Sequence, residues 1–179
     1  ANDTSLGILQ DIPPTPDMPH HWLQHWENVM DPFHTYVLHA TFSSVQFVNG
    51  FGVMPRVDFE TKDASVVYHA HRTMPDGREL VRVNTAMLPN VSAIPNIQLK
   101  EGRGNEVVAW HVAVDDTHFR WFMVARTTDP HRFRPRKIYN DKSWNELTEE
   151  EHQDNPGDWE AQSGQGQITL HSEEHLATS

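Results

Sequence analysis

The order of apolar and polar positions divides the chain into a short helical part and a longer part rich in strand patterns. Trp22, Trp26 and Val29 recur at spacings of four and three residues, which is typical of a helix with one buried face. We therefore predict a helix over residues 19–30. After His39 the pattern changes to short β-rich segments, many of which alternate apolar and polar residues, and it predicts strands at 41–48, 56–61, 65–73, 79–88, 91–99, 107–114 and 118–127.

Turn signals connect these predicted strands into antiparallel pairs. The Pro-Asp-Gly sequence at 75–77 and the Asp-Asp sequence at 115–116 each lie between two alternating segments, as in hairpins. Pro95 removes a backbone donor, so its segment is predicted to be an edge strand or a broken one. About six antiparallel strands after one helix predict an α+β fold, in which a curved antiparallel sheet packs on helices.

Two segments differ from this pattern in composition. Residues 1–20 contain four prolines and are predicted to form an extended connector, which leaves residues 21–179 as the folded domain. Residues 129–150 carry a basic run followed by acidic residues, and we interpret them as a solvated loop before a short polar helix. The basic run could also bind a negatively charged partner or cover the mouth of a site.

A dense group of polar side chains follows the predicted helix and lies among apolar residues. Asn28, Asp31 and His34 are three apart and share one helix face, whereas His34 and His39 are five apart, roughly 140° around an ideal helix. Both imidazoles can reach one metal ion only if the helix ends, kinks or carries a π-bulge between them. Pro32 fits such a distortion because it lacks a backbone donor. The pattern therefore predicts a metal site.

Two histidines and a distant carboxylate would form the facial triad of a non-haem Fe(II) oxygenase. The carboxylate must come from the C-terminal part of the chain, where Asp154 and Asp158 stand in proline- or glycine-containing surroundings and Glu160 is a further candidate. Spacing alone does not decide among the three.

Other arrangements of polar residues favour ordinary structural roles. The adjacent His20 and His21 point in different directions from a helix start, and His69 and His71 share one face of a strand, where a polar surface is the simpler interpretation. A zinc hydrolase would need a general base beside the metal, and Glu27 lies two helical turns before His34.

The sequence resembles a known family at these residues. The order Trp22-Leu23-Gln24, Glu27-Asn28, Asp31, His34 and His39 resembles the catalytic-domain signature of the Rieske-type non-haem iron ring-hydroxylating oxygenase α subunits. The stretches 156–162, 164–168 and 174–176 are most similar to the phthalate and phenoxybenzoate dioxygenase-like branch.

The resemblance implies a fold and a set of site residues. It implies a helix-grip (START/Bet v1-like) domain, incomplete at its C-terminus because the long helix would lie beyond Ser179. It implies that His34, His39 and Asp158 bind one Fe(II), and an ungapped match at 166–168 is what selects Asp158. Asp31 would accept a hydrogen bond from His34 and bridge to a cluster-ligating histidine of a neighbouring subunit in a homotrimer. Asn28 would sit near the iron.

The resemblance also implies cofactors and partners. A Rieske [2Fe-2S] cluster needs two cysteine and two histidine ligands, and the chain contains no cysteine, so the cluster is expected in an absent N-terminal domain. Electrons would come from NAD(P)H through a reductase or ferredoxin, and O2 would serve to hydroxylate or O-demethylate an aromatic substrate. The alternative is a helix-grip module that binds a hydrophobic ligand without catalysis.

Charge and hydropathy narrow the remaining classes of function. The formal net charge is −11, which argues against binding to nucleic acid or to acidic membranes, because both need clustered positive charge. The sequence shows no apolar run long enough for a membrane span and no leader, so we expect a soluble cytoplasmic protein.

Overall fold

A seven-stranded antiparallel sheet forms the centre of the computed structural model, which describes residues 8–12, 17–42, 46–47, 49–95, 105–127, 137–143, 146–170 and 172. The strand order is β1-β7-β6-β5-β4-β3-β2, and all neighbouring strands are antiparallel. The predicted α+β class is therefore confirmed. The strands are β1 (Ile8–Ile12), β2 (Arg56–Lys62), β3 (Ser65–Thr73), β4 (Glu79–Met87), β5 (Val91–Pro95), β6 (Asn105–Ala113) and β7 (Phe119–Thr127).

Short helices flank the sheet in sequence. In the part of the chain described above, the longest α-helix has eight residues, so the long helix expected of a helix-grip domain is not among these residues. None of the helices described could cross a membrane. A small hairpin precedes the last two helices. These elements are α1 (Trp22–Val29), α2 (His34–Tyr36), a π-helical segment (Val37–Phe42), a 3-10 turn (Asn49–Gly52), β8 (Lys137–Tyr139), β9 (Lys142–Ser143), α3 (Glu149–Asp154) and α4 (Asp158–Ser163).

Helix α1 packs on β4, β5 and β6 and is attached to the sheet by two side-chain hydrogen bonds. The Trp26 indole donates to the carbonyl of Val91 (3.2 Å), and the Asn84 amide donates to the carbonyl of Val29 (3.1 Å). The buried stripe runs through His25 and Val29, whereas Trp26 is only half-buried. The predicted stripe was therefore correct at Val29 but assigned its other positions to the tryptophans instead of His25.

Two predicted elements differ from the structure, and a third agrees with one of its two predicted alternatives. Residues 41–48 do not form a strand in the described positions, because 41–42 complete the π-helical segment and 46–47 form a bend. The N-terminal connector contributes β1, which pairs with β7 at the sheet edge and obtains its backbone partners there. Strand β5 lies inside the sheet between β4 and β6, although it ends at Pro95 with a register shift, as expected of a broken strand.

A buried histidine pair lies between α1 and the sheet. The His111 Nε2 atom is 2.9 Å from His25 Nδ1. The Nδ1–H of His111 donates to the carbonyl of Asn90 (3.1 Å). Both rings also contact Phe119 and Trp121. Burial lowers the pKa of His25 to about 3, with a further contribution from the charge of His111, and burial lowers the pKa of His111 to about 4. Both rings are therefore neutral in the folded protein near pH 7.

This pair predicts that the fold loses stability as the pH falls from about 7 to about 5. The unfolded chain takes up protons at its histidines below roughly pH 6.5, whereas the folded chain does not bind them until roughly pH 4, so acid favours the unfolded state. At pH 5 the cost is on the order of 2 kcal/mol for each histidine. Urea unfolding at pH 7 and pH 5 measures it. A His25→Phe/His111→Phe double variant should lose much less stability over this interval, and an unchanged pH dependence would contradict the prediction.

Candidate metal centre

Three side chains from two distant parts of the chain converge on one point. The Nε2 atoms of His34 and His39 lie 3.6 and 3.1 Å from Oδ1 of Asp158. One donor atom from each residue lies within 4.8 Å of the other two, and this is the one potential metal-binding group of three or more His, Cys, Asp or Glu residues found across the described ranges. Histidine nitrogens and carboxylate oxygens bind a divalent transition metal at roughly 2.0–2.2 Å. Two donors that subtend a right angle at the metal are therefore about 3 Å apart. The two spacings between a histidine nitrogen and the Asp158 oxygen, 3.6 and 3.1 Å, are close to this value.

The expected helix distortion explains how residues five apart reach the same point. Helix α2 begins at His34 and continues into the π-helical segment that contains His39. A π-helical turn holds more residues than an α-helical turn, so positions five apart move towards one face. The two rings are 5.2 Å apart between centroids and inclined at 75°. The predicted distortion between the two histidines is confirmed.

The start of α2 is tied to the sheet by a buried arginine. The Thr35 hydroxyl donates to the carbonyl of Pro32 (2.6 Å) and accepts from Nη2 of Arg72 (2.8 Å). The Nε–H of Arg72 donates to the carbonyl of Val53 (3.0 Å), and its guanidinium lies over the ring of Phe51. These contacts hold the residue that follows His34 against strand β3.

The carboxylate of the site comes from the first residue of α4. Gly157 precedes Asp158 in an extended conformation, and its N–H donates to Oε2 of Glu160 (2.8 Å), which closes the first turn. The Asn28 amide donates to Oδ1 of Asp158 (3.1 Å), so α1 also holds this side chain. The Pro-Gly turn therefore presents the Asp158 carboxylate from the start of a helix.

The other candidate carboxylates lie elsewhere. Asp154 is exposed at the end of α3, and Glu160 lies with its Oε1 atom 2.6 Å from Nδ1 of His152.

The carboxylate of Asp31 accepts from the N–H of Phe33 (2.8 Å). It is the main-chain carbonyl of Asp31 that meets the Nδ1 atom of His34. The interaction assigned to the Asp31 side chain is therefore made by its backbone.

The excluded histidines have structural contacts. His20 is buried, and its Nε2 atom is 3.0 Å from Oε1 of Gln162, while His21 caps the start of α1. His69 and His71 lie 3.6 and 3.5 Å from carboxylates on strand β2 and belong to no group of three donors among the described residues. Their interpretation as ordinary polar residues agrees with these positions.

The electrostatics favour an ionised carboxylate. Partial burial would raise the pKa of Asp158, but the hydrogen bond with His39 and the charges of both histidines outweigh it and lower that pKa strongly. Burial lowers the pKa of His34. Burial also opposes charge on His39, yet the contact with Asp158 is stronger and raises the pKa of His39. The centre therefore presents the acceptor oxygen that a cation needs.

The sequence patterns did not identify Gln46 as part of the site. Its Oε1 atom is 2.8 Å from Nδ1 of His39, and its Nε2–H donates to the carbonyl of Pro156 (2.7 Å). A glutamine in a segment that resembled a strand gives no sequence signal for such a role, because one of its two contacts joins residues 110 positions apart.

Most of the chain is similar in sequence to two oxygenase subunits. No family model matches the chain. The chain is 59% identical over 164 residues to phenoxybenzoate dioxygenase subunit alpha of Ectopseudomonas oleovorans, which covers 92% of this chain and 40% of that protein. It is 32% identical over 183 residues to the tert-butanol monooxygenase / tert-amyl alcohol desaturase oxygenase subunit of Aquincola tertiaricarbonis. That match covers 88% of this chain and 39% of the relative. The chain thus spans about two fifths of the length of these relatives.

Among solved structures, the di-domain ARO/CYC StfQ from the steffimycin biosynthetic pathway aligns with 66% of this chain and 38% of its own. The TM-score is 0.37 and the identity 12%. The identity to the two oxygenase subunits, by contrast, extends over most of the chain and confirms the resemblance seen in the sequence. The chain belongs to the Rieske-type non-haem iron oxygenase family.

Proposed function

We propose that this chain is the catalytic part of an oxygenase that uses one mononuclear Fe(II) and O2 to oxidise an aromatic substrate. The observation that carries the proposal is the convergence of two imidazole nitrogens and one carboxylate oxygen, which is the donor set of a facial triad. His34, His39 and Asp158 would hold the ion. Bound Fe(II) would supply open coordination positions and the redox chemistry that activates dioxygen.

The remaining residues of the site orient these three. The carbonyl of Asp31 accepts the Nδ1–H of His34, which leaves the Nε2 lone pair directed at the centre. The Asn28 amide restrains the carboxylate of Asp158 from the side of α1. Glu27 is exposed, so the geometry gives no support to a hydrolase in which it acts as general base.

Electrons would reach the centre from outside these 179 residues. The chain has no cysteine, so a Rieske [2Fe-2S] cluster would be held by another domain and reduced by a reductase or ferredoxin. We propose that the Asp31 carboxylate links the iron site to a cluster ligand of a neighbouring subunit in a homotrimer. The half-buried position of Asp31, next to the contact with His34, supports this role.

The more similar relative suggests the class of substrate. That protein is named for phenoxybenzoate, and its identity to this chain is nearly twice that of the other relative. We therefore propose an aromatic carboxylic acid with an ether-linked ring, oxidised by ring hydroxylation or by cleavage of the ether.

Isotope incorporation tests the proposal. The iron-loaded full-length α subunit, supplied with its reductase, NADH and phenoxybenzoate, should consume O2 and transfer ¹⁸O from ¹⁸O2 into product. The same protein should transfer no ¹⁸O after the mononuclear iron has been removed and the Rieske cluster retained. A ligand-binding module would be supported instead if the iron-free protein bound phenoxybenzoate tightly and the iron-reconstituted protein consumed no oxygen.

A further inference from the structure

Gln46 occupies a position between two of the three proposed ligands. Its side-chain amide contacts His39 through Oε1 (2.8 Å) and the carbonyl of Pro156 through Nε2 (2.7 Å). Pro156 stands two residues before Asp158, whose carboxylate lies against the other nitrogen of the His39 ring (3.1 Å). One amide therefore contacts the ring of one proposed ligand and the turn that presents another.

The chemistry of these contacts determines the orientation of the amide. A carbonyl oxygen accepts hydrogen bonds and cannot donate them, so the group that faces Pro156 must be the NH2 of Gln46. The carbonyl oxygen of Gln46 then faces Nδ1 of His39. Because this oxygen is also only an acceptor, Nδ1 must carry a proton. When His39 binds a metal as a neutral imidazole that has given up the proton shared with Asp158, its lone pair is therefore on Nε2, the nitrogen that faces Asp158.

We propose that Gln46 is a positioning residue that selects the metal-binding nitrogen of His39 and links His39 to the Asp158 turn. The inference rests on the proposed metal site. The Gly157 N–H is already bound by Glu160 within the turn, so Gln46 supplies a separate contact, made to Pro156 from a segment outside α4. Through it, two proposed ligands 119 residues apart in sequence share one restraint.

The proposal predicts graded effects of two substitutions on metal binding. Gln46→Leu removes both hydrogen bonds, and the affinity for Co(II), followed by its visible absorption, should fall roughly 10- to 100-fold, as for other residues that orient metal ligands. Gln46→Glu keeps an acceptor for His39 Nδ1–H but cannot donate to Pro156, so its affinity should lie between those of Gln46→Leu and the unmodified protein.

A second measurement separates positioning from general stabilisation. In the Zn(II)-loaded protein, ¹⁵N NMR should show the His39 ring proton on Nδ1. This proton should be protected from exchange with water in the unmodified protein and in Gln46→Glu, and it should exchange rapidly in Gln46→Leu. Gln24→Leu is the matched control, because it also removes a glutamine amide contact with a main-chain carbonyl, that of Gly166. It should leave metal affinity and the His39 signal unchanged.

The outcomes distinguish this inference from the proposed function. If the unmodified protein binds neither Co(II) nor Zn(II), the proposed metal site itself fails. If it binds them and Gln46→Leu, folded by circular dichroism, binds equally tightly, only the role of Gln46 is overturned. Metal coordination through Nδ1 of His39 would overturn it as well.

Discussion

Alanine at His34, His39 or Asp158 is expected to abolish stoichiometric iron binding. Each substitution removes one of three donor atoms that lie within 4.8 Å of one another, and the loss should exceed the roughly 10- to 100-fold typical of residues that only orient ligands. The measurement is the iron content of each variant after anaerobic reconstitution with Fe(II) and desalting, with one Fe(II) per chain in the unmodified protein.

Asp154→Ala provides the matched control for the carboxylate. Asp154 lies four residues before Asp158, at the exposed end of α3, so its removal should leave iron binding intact. Equal responses from the two aspartates would show that Asp158 is not the specific ligand. Full iron retention by either histidine variant would contradict the site as a whole.

Asp31→Asn is expected to keep the iron and to lower substrate oxidation sharply. The His34 ring is oriented by the main-chain carbonyl of Asp31, which the substitution leaves in place, and an asparagine Oδ1 can still accept from the N–H of Phe33. What disappears is the negative charge proposed to link the two metal centres. Loss of a charge-assisted hydrogen bond of about 1.5–3 kcal/mol corresponds to a decrease of roughly 10- to 100-fold in rate.

The measurement is coupled turnover in the full-length protein, together with the iron content and the Rieske absorption spectrum of the same sample. Asp116→Asn, an exposed charge-neutralising change in the loop between β6 and β7, controls for net charge and should retain normal turnover. Normal turnover in Asp31→Asn would remove the bridging role. Loss of iron would show that the carboxylate holds the site together in a way that the backbone contact does not.

Local patterns in the sequence were sufficient for most of the sheet. Strands β3 and β4 match their predicted segments almost residue for residue, because alternation and the Pro-Asp-Gly turn at 75–77 specify both the strands and their pairing. The helix α1 was likewise predicted from the spacing of its apolar residues. The spacing of His34 and His39 even required a helix distortion, since two side chains five apart cannot otherwise meet one ion.

Contacts between distant segments decided what local patterns could not. The β-rich composition of 41–48 favours a strand, yet part of this segment forms a π-helical turn beside which Gln46 contacts His39. Strand β1 lies in a proline-containing segment and is strand-like only because β7, more than a hundred residues later, supplies its hydrogen-bond partners.

The same division applies to the proposed metal centre. The sequence itself was sufficient to propose His34 and His39 as ligands, because their spacing, types and apolar surroundings are all local properties. Local patterns do not select their proposed third partner, since Asp154, Asp158 and Glu160 have similar local surroundings, and only the resemblance to the family favoured Asp158. Only the folded chain places Asp158 against both imidazoles, at the start of α4 and under restraint from Asn28, while Glu160 caps the turn. A ligand set that joins residues 119 positions apart depends on tertiary packing, which no short-range pattern records.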